Sequence, residues 1–387
     1  MKSILTITIL LSTLMLFSQE EARFRIIKNN KVGYIDSCGK TVIEAEFAGG
    51  NDFSEGLASV RKDGLYGFID SKGKYIIEPQ YEYATSFQNG YAVVFKERKK
   101  KLINLKGDLI NNDPNKDLSN HSENLVQSAF YGASTEYKDG KWGIVDSLGK
   151  YLIPAKFDTI NDFDRNGFTN DLLKIVIRKK LTYINQKGDI IWQETKPDKN
   201  SIIPLNIDFM NRGYCYAYSN TEERNGWGIS DNYPKKIGSK KFPKKQLSLF
   251  INQSDKATFE GNFKGCKLYL ANTSDKKITL NASDSRLNIL LQAMDSNGKW
   301  QYIEYAPSSW CGNSYHNLYL ETGEYWDFTI PEYEGCVKTK IRAVLAYSEG
   351  KKETFVYSNT IVGSINPAQF FNKRHYTSTG LMDPYND

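Results

Sequence analysis

Cysteine and histidine come close together once in this sequence, in Cys311-Gly312-Asn313-Ser314-Tyr315-His316. A nearby histidine can lower a thiol pKa, and a thiolate is a nucleophile, so this run is the candidate for a thiol hydrolase. Cysteine–histidine dyads, however, are normally assembled from distant segments, and Cys336 offers Cys311 a simpler role. Asp113-x-Asn115-x-Asp117 begins like a calcium loop, but Leu118 stands where glycine should turn the chain and Asn124 where a bidentate Glu should close it. His121, His316 and His375 are the only histidines, too few for a multi-histidine metal site. There is no phosphate-binding glycine loop, no serine elbow and no zinc spacing. The expectation is a protein without catalytic residues, cofactor or metal.

The five cysteines are an odd number, so at least one is unpaired or paired between chains. Cys266 alternates with Leu268 and Leu270 and reads as core. Cys215 fills a small-residue slot held elsewhere by Ala58 and Ala92, and Cys38 lies in a turn. Cys311 and Cys336 both flank strands, and in an oxidising compartment a disulfide between them is expected.

The elements that would position such groups are strands. Tyr, Phe and Trp make up 13% of the chain, 29 glycines stand beside them, and long helical patterns are few. Aromatics pack across strands and glycines make turns, which indicates an all-β chain. The net charge of +6 over 387 residues is too dilute for a nucleic-acid face.

The strands recur. Val32-Gly33-Tyr34-Ile35-Asp36 returns 34 residues later as Tyr66-Gly67-Phe68-Ile69-Asp70, and again as Trp142-Gly143-Ile144-Val145-Asp146. Leu102-Ile103-Asn104 and Thr182-Tyr183-Ile184-Asn185 are copies in which Lys101 and Thr182 replace the glycine, and Trp227-Gly228-Ile229 is a truncated sixth. A turn follows each full copy, as in Asp70-Ser71-Lys72-Gly73-Lys74, where the Asp can bond local backbone and the Gly can take positive φ. A second apolar run then leads to Pro79 or Pro154, expected to end the strand, and to an aromatic-to-glycine turn (Phe53…Gly56, Phe87…Gly90, Phe163…Gly167, Phe209…Gly213). The glycine beside each aromatic is expected to let an aromatic of the neighbouring unit pack onto backbone. Tyr66, Trp142 and Trp227 then belong either to the core or to a stacking platform for sugar or peptide.

Lys-Trp-Gly-Ile-Val-Asp at 141–146, with the trailing Ser-x-Gly-Lys and Pro-x-x-Phe-Asp, resembles the bacterial WG-repeat family, over roughly residues 24–235. That resemblance implies a β-rich, often exported protein whose family mostly lacks an assigned activity.

Six lysines between Lys235 and Lys245 mark a linker over residues 236–246. Beyond it, about nine short alternating runs separated by turn clusters read as an immunoglobulin-like β-sandwich over 247–371, followed by a flexible tail, 372–387. The repeat array, 19–235, is expected to form a solenoid- or propeller-like stack of β-hairpin units.

Lys2, the apolar stretch Ile4–Phe17 and small Ser18 before Gln19-Glu20-Glu21 have the form of a signal peptide, and the 14 apolar residues are shorter than the ~20 that span a bilayer. No later segment is long and apolar enough to span one. The expected protein is secreted or periplasmic and non-enzymatic, and binds a protein or polysaccharide at the bacterial cell surface through its repeat surface. A carbohydrate-binding accessory module and a hydrolase with its site in the C-terminal domain are the alternatives. Mass spectrometry of exported protein should find a mature chain starting at Gln19; a chain still starting at Met1, or one carrying lipid, would refute the cleavage site.

Overall fold

A computed structural model describes residues 22–110, 132–164, 167–169, 171–195, 202–220, 230–350, 352–373 and 385. The leader, the Asp113–Asp117 run, His121, Trp227, His375 and most of the tail lie outside them. Among the described residues the protein is all-β with short 3-10 turns, built from many small antiparallel sheets of which none closes on itself.

Five meanders make up the first half. They are Phe24–Lys28 to Thr41–Phe47, Gly49–Gly50 to Tyr75–Tyr81, Tyr83–Ala84 to Leu109–Ile110, Ser134–Lys138 to Tyr151–Phe157, and Asp162–Phe163 to Ile190–Gln193. They are called the first to fifth sheets below. The turns after each copy form as the sequence implies: Asp36, Asp70 and Asp146 Oδ1 each accept two backbone N–H groups at 2.9 Å. Asn104 and Asn185 do the same where Asp is replaced.

The repeated glycine has a different reason from the expected one. In the second sheet Tyr66 pairs with Tyr81 and Phe68 with Ile77, so the strand Tyr75–Tyr81 carries two extra residues across from Gly67. The same bulge faces Gly33 and Gly143. A Cβ on Gly67 would lie 2.5 Å from the Ile77 carbonyl oxygen, and one on Gly143 would lie 2.7 Å from that of Ile153. What fills the space is the backbone of the unit's own next strand, not a neighbouring unit's aromatic. Pro79 and Pro154 sit inside this bulge and do not end the strand; a bulge is where a missing N–H costs no ladder bond. Where Thr182 replaces the glycine, its strand pairs in step, Thr182 with Gln193 and Tyr183 with Trp192, and Thr182 Oγ1 accepts from Gln193 Nε2 at 2.9 Å.

The sheets do not pack in sequence order. Val32, Tyr34 and Phe47 of the first share a core with Ala58, Val60 and Ile69 of the second. Phe68 and Tyr81 of the second pack with Phe87, Val94 and Ile103 of the third, and the fourth packs with the fifth. The fifth then returns to the first: Leu172 and Tyr183 bury Phe24, Ile26 and Ile35, with the Phe24 and Tyr183 rings 5.4 Å apart. The contact order is fourth, fifth, first, second, third.

The remaining sheets surround one large core that includes Leu268, Leu280, Leu291, Leu318, Trp326 and Leu345. Of the nine expected runs, seven lie within single strands, while Leu287–Met294 is interrupted at Asn288 and Trp300–Tyr305 at Ile303; the hairpin Leu247–Phe259 with Phe263–Asn272 extends well beyond the expected Leu247–Ile251 and Cys266–Ala271. Residues 202–220, read from sequence as the end of the array, belong to this core through Leu205, Cys215 and Ala217. Asn211–Arg212 pairs in parallel with Glu304–Tyr305. The look-alike Phe209…Gly213 turn fails because Gly213 lacks the positive φ of Gly56, Gly90 and Gly167 and packs on Leu290 and Arg286.

The lysine-rich segment is likewise docked. Lys235–Lys236 pairs with Glu324–Pro331, Lys235 and Lys236 bridge Asp327 and Glu324, and Phe242 packs on Tyr269 and Tyr325. Of the expected flexible tail, Lys373 forms a bridge with Met210 and Tyr385 with Ser309.

Two predictions follow from this packing. Gly143→Val should cost about 2–3 kcal/mol, because backbone on both strands must move, while Lys141→Ala at an exposed ion pair should stay within ~0.5 kcal/mol. Equal thermal shifts would remove the close-approach explanation. Buried Glu304 joins residues 202–220 to the core: Tyr214 and Tyr333 hydroxyls each donate to Oε1 at 2.7 Å and Leu291 N–H to Oε2 at 2.8 Å. Burial nevertheless raises its pKa from 4.5 to about 7. The folded state therefore holds the proton more tightly than the unfolded chain, and this stabilisation is full below pH 4.5 and lost as pH rises through about 7. In urea melts at pH 5 and pH 8, wild type should lose about 2–3 kcal/mol relative to Glu304→Gln, whose amide can serve the same partners. Parallel pH dependence in the two proteins would refute the assignment.

Candidate functional site

Strand Ala58–Lys62 turns at Asp63-Gly64 into strand Leu65–Ile69, and the register makes Arg61 and Tyr66 cross-strand partners on one face. On its other side Arg61 pairs with Gly49, which has no side chain, so the guanidinium lies over bare backbone; a Cβ there would be 3.1 Å from Arg61 Nε. Arg61 is only 2% exposed. Its Nη1 donates to Asn206 Oδ1 at 2.8 Å and its Nη2 to the Ala48 carbonyl at 3.1 Å, while Nε is buried without a hydrogen-bond partner. The Tyr66 hydroxyl donates to Asp208, and burial, with the Asp208 charge adding to it, pushes its pKa well above the phenolic range.

These groups wall a cleft of about 710 Å³ between the first two sheets, residues 203–209 and the C-terminal part. The lining includes the carboxamides of Asn29, Asn30, Asn51, Asn206 and Asn372, the rings of Tyr83 and Phe263, and the charged groups Arg25, Asp52, Asp208, Glu334 and Lys373. Two strands flanking it, Phe24–Lys28 and Gly49–Gly50, are edges of their sheets. Asn366 clamps the far side, its Nδ2 donating to Asn206 Oδ1 at 2.9 Å and to the Ile207 carbonyl at 2.8 Å, with Oδ1 left unpartnered.

The WG containing repeat model matches residues 33–66, 66–99 and 142–169. These segments are WG-containing repeats. No curated protein matches the chain. Among solved structures, the chain is weakly similar to a crystal structure of the eukaryotic initiation factor, with 8% identity over 88% of this chain and 98% of that one and a TM-score of 0.17. It is also weakly similar to the alternansucrase ASR in complex with isomaltononaose, with 15% identity over 43% of this chain and 16% of that one and a TM-score of 0.08. Neither likeness carries a structural argument.

Within the WG repeats, the aromatic before the glycine has no single fate. Tyr66 is buried and lines the cleft. Trp142, in the fourth sheet, is half-buried and packs on Tyr137 at 5.2 Å. Tyr66 belongs to the core shared by the second and third sheets, Trp142 lies in the fourth sheet, and Trp227 lies outside the described residues. Sequence reasoning missed Arg61, Asn206, Asp208 and Asn366. A signal for Arg61 existed: the position opposite the aromatic slot is Ile27, Phe95, Tyr137 or Val176 in the other sheets. Two of these face the same way as Arg61, which meets Asn206: Ile27 lines the cleft, and Phe95 stacks on Phe371 at 4.8 Å.

The expected Cys311–Cys336 disulfide is not formed; all five cysteines are free thiols. The two occupy different settings. Cys311 precedes the 3-10 turn Gly312–Ser314, where its N–H donates to Ser309 Oγ, beside the sheet containing Tyr315–Leu320. Cys336 precedes the strand Val337–Glu349 of another sheet, and its sulfur lies 2.4 Å from where a Cβ of Gly64 would be. Burial raises the Cys336 thiol pKa, as it does for Cys215 and Cys266. His316 Nδ1 is paired with the Ser314 carbonyl at 3.2 Å.

Proposed function

We propose that this chain is an exported, non-enzymatic binding protein of the bacterial envelope or exterior, and that an extended polypeptide segment of its partner occupies the cleft at Arg61. The observation that carries this reading is a cleft of about 710 Å³ walled by a buried guanidinium and flanked by two edge strands, wide enough and polar enough for an extended chain. An asparagine carboxamide carries one donor group and one acceptor, the complement of a peptide bond; in the lining, Asn206 Oδ1, Asn51 Nδ2 and Asn372 Nδ2 are already engaged within the protein. The sheet edges at Phe24–Lys28, whose Arg25 carbonyl accepts from the Tyr183 hydroxyl, and at Gly49–Gly50 add edge backbone of the kind that recruits an extended strand. The contact order of the five sheets supports a ring-like, propeller-type array, and the large core of the C-terminal part, enclosed between its sheets, supports an immunoglobulin-like sandwich. A binding role over the hydrolase alternative is favoured by the engagement of His316 Nδ1 with Ser314 and not with Cys311.

Linear peptides selected on the full chain from a display library should lose about tenfold in affinity against the double variant Tyr83→Ala, Lys373→Glu, compared at a temperature where circular dichroism shows both proteins folded, since Tyr83 also packs on Tyr66 and Phe95. Selected peptides that bind wild type and variant equally would overturn the placement of the site.

A further inference from the structure

Away from the cleft, the sheet Trp300–Tyr302, Ile289–Met294, Val337–Glu349 and Lys352–Tyr357, with Ile361–Ile365 beside the start of the long strand, has one face in the core and one outside. Ile341, Ala343 and Leu345 point inward with Leu291 and Ala293. The register therefore sets Trp300 and Tyr302, Gln292, Arg342, and Tyr357 and Phe355 on the outer face in adjacent rows. Tyr302, Phe355 and Tyr357 are 37%, 43% and 49% exposed.

The rings are held in place. The Arg342 guanidinium lies 4.3 Å from the Trp300 ring and 4.1 Å from the Tyr357 ring, and its Nε donates to Gln292 Oε1 at 2.9 Å. Phe355 and Tyr357 lie near-parallel, 17° apart at 6.4 Å. Along the same strand, Lys338 and Lys340 share the outer face with Arg342, and among the described residues none of the three has a carboxylate within ion-pair distance. One carboxylate shares this face, Glu353, opposite Ser348, next to Phe355 along its strand and near enough to Tyr302 to act on its hydroxyl, at the end away from Lys338 and Lys340.

We infer that this outer face binds an acidic polysaccharide, its sugar rings stacking on Tyr302, Tyr357 and Phe355 and its carboxylates pairing with Lys338 and Lys340. Flat aromatic faces fixed in rows suit the apolar faces of sugar rings. Two ammonium groups beside a pinned guanidinium select anionic chains over neutral ones. This site is independent of the cleft and stands or falls without it.

Affinity electrophoresis of the full chain in gels containing polygalacturonate, dextran or polyglutamate tests it. Polygalacturonate should retard wild type, and dextran should not. Tyr357→Ala and Phe355→Ala should each weaken retention about fivefold with unchanged melting temperature. Lys338→Gln with Lys340→Gln should weaken it and flatten its salt dependence, while the cleft variant Tyr83→Ala should bind as wild type does. Equal mobility in polygalacturonate and dextran overturns the proposal. So does retention that survives both aromatic substitutions or is matched by polyglutamate, since that would be charge attraction alone, and so does loss of binding in the cleft variant.

Discussion

A meander of three or four short strands has two faces and can hide neither alone. That constraint organises the molecule. Each repeat sheet gives Ile, Val and aromatic side chains to cores shared with the sheets beside it, so a sheet is finished only when its neighbours are present. The repeated glycine serves the same need at smaller scale. By letting the next strand's backbone bulge across it, it allows a seven-residue strand containing proline to stay in so small a sheet.

The C-terminal part meets the same constraint from the other side. It covers the Arg61 side of the second sheet through residues 203–209 and covers the third through Phe95 on Phe371 and Arg98 with Phe370 and Asp295. Gly64, at a hairpin tip, admits Cys336 where any side chain would collide with the sulfur. The two halves meet through buried amides, a buried guanidinium and stacked rings, and the cleft lies along this contact.

Much of this was written in local patterns. The Asp…Gly-Lys turns and the alternating strands act within a few residues, the 34-residue period repeats them, and all appear where the sequence places them. What escaped the reading depends on distant partners. Phe209…Gly213-Tyr214-Cys215 copies the repeat's lettering, yet Glu304 and Leu290 capture it for the other core. Cys311 and Cys336 were a pair by elimination, but sheet membership separates them. Arg61 was visible only as one charged residue in an apolar column, and its meaning needed Asn206, far along the chain. The aromatic row was sought in the WG slots; the exposed row lies instead in the C-terminal sheet.

The return of the fifth sheet to the first has a consequence in time. A chain made or threaded from its N-terminus presents Phe24, Ile26 and Ile35 early, but Leu172 and Tyr183, which bury them, emerge roughly a hundred and fifty residues later. Until then the oldest sheet waits with an apolar edge open. Closure by so distant a contact slows folding and leaves the half-made array open to mispairing with other chains. The N-terminal sheet is thus the first to be synthesised and among the last to be completed.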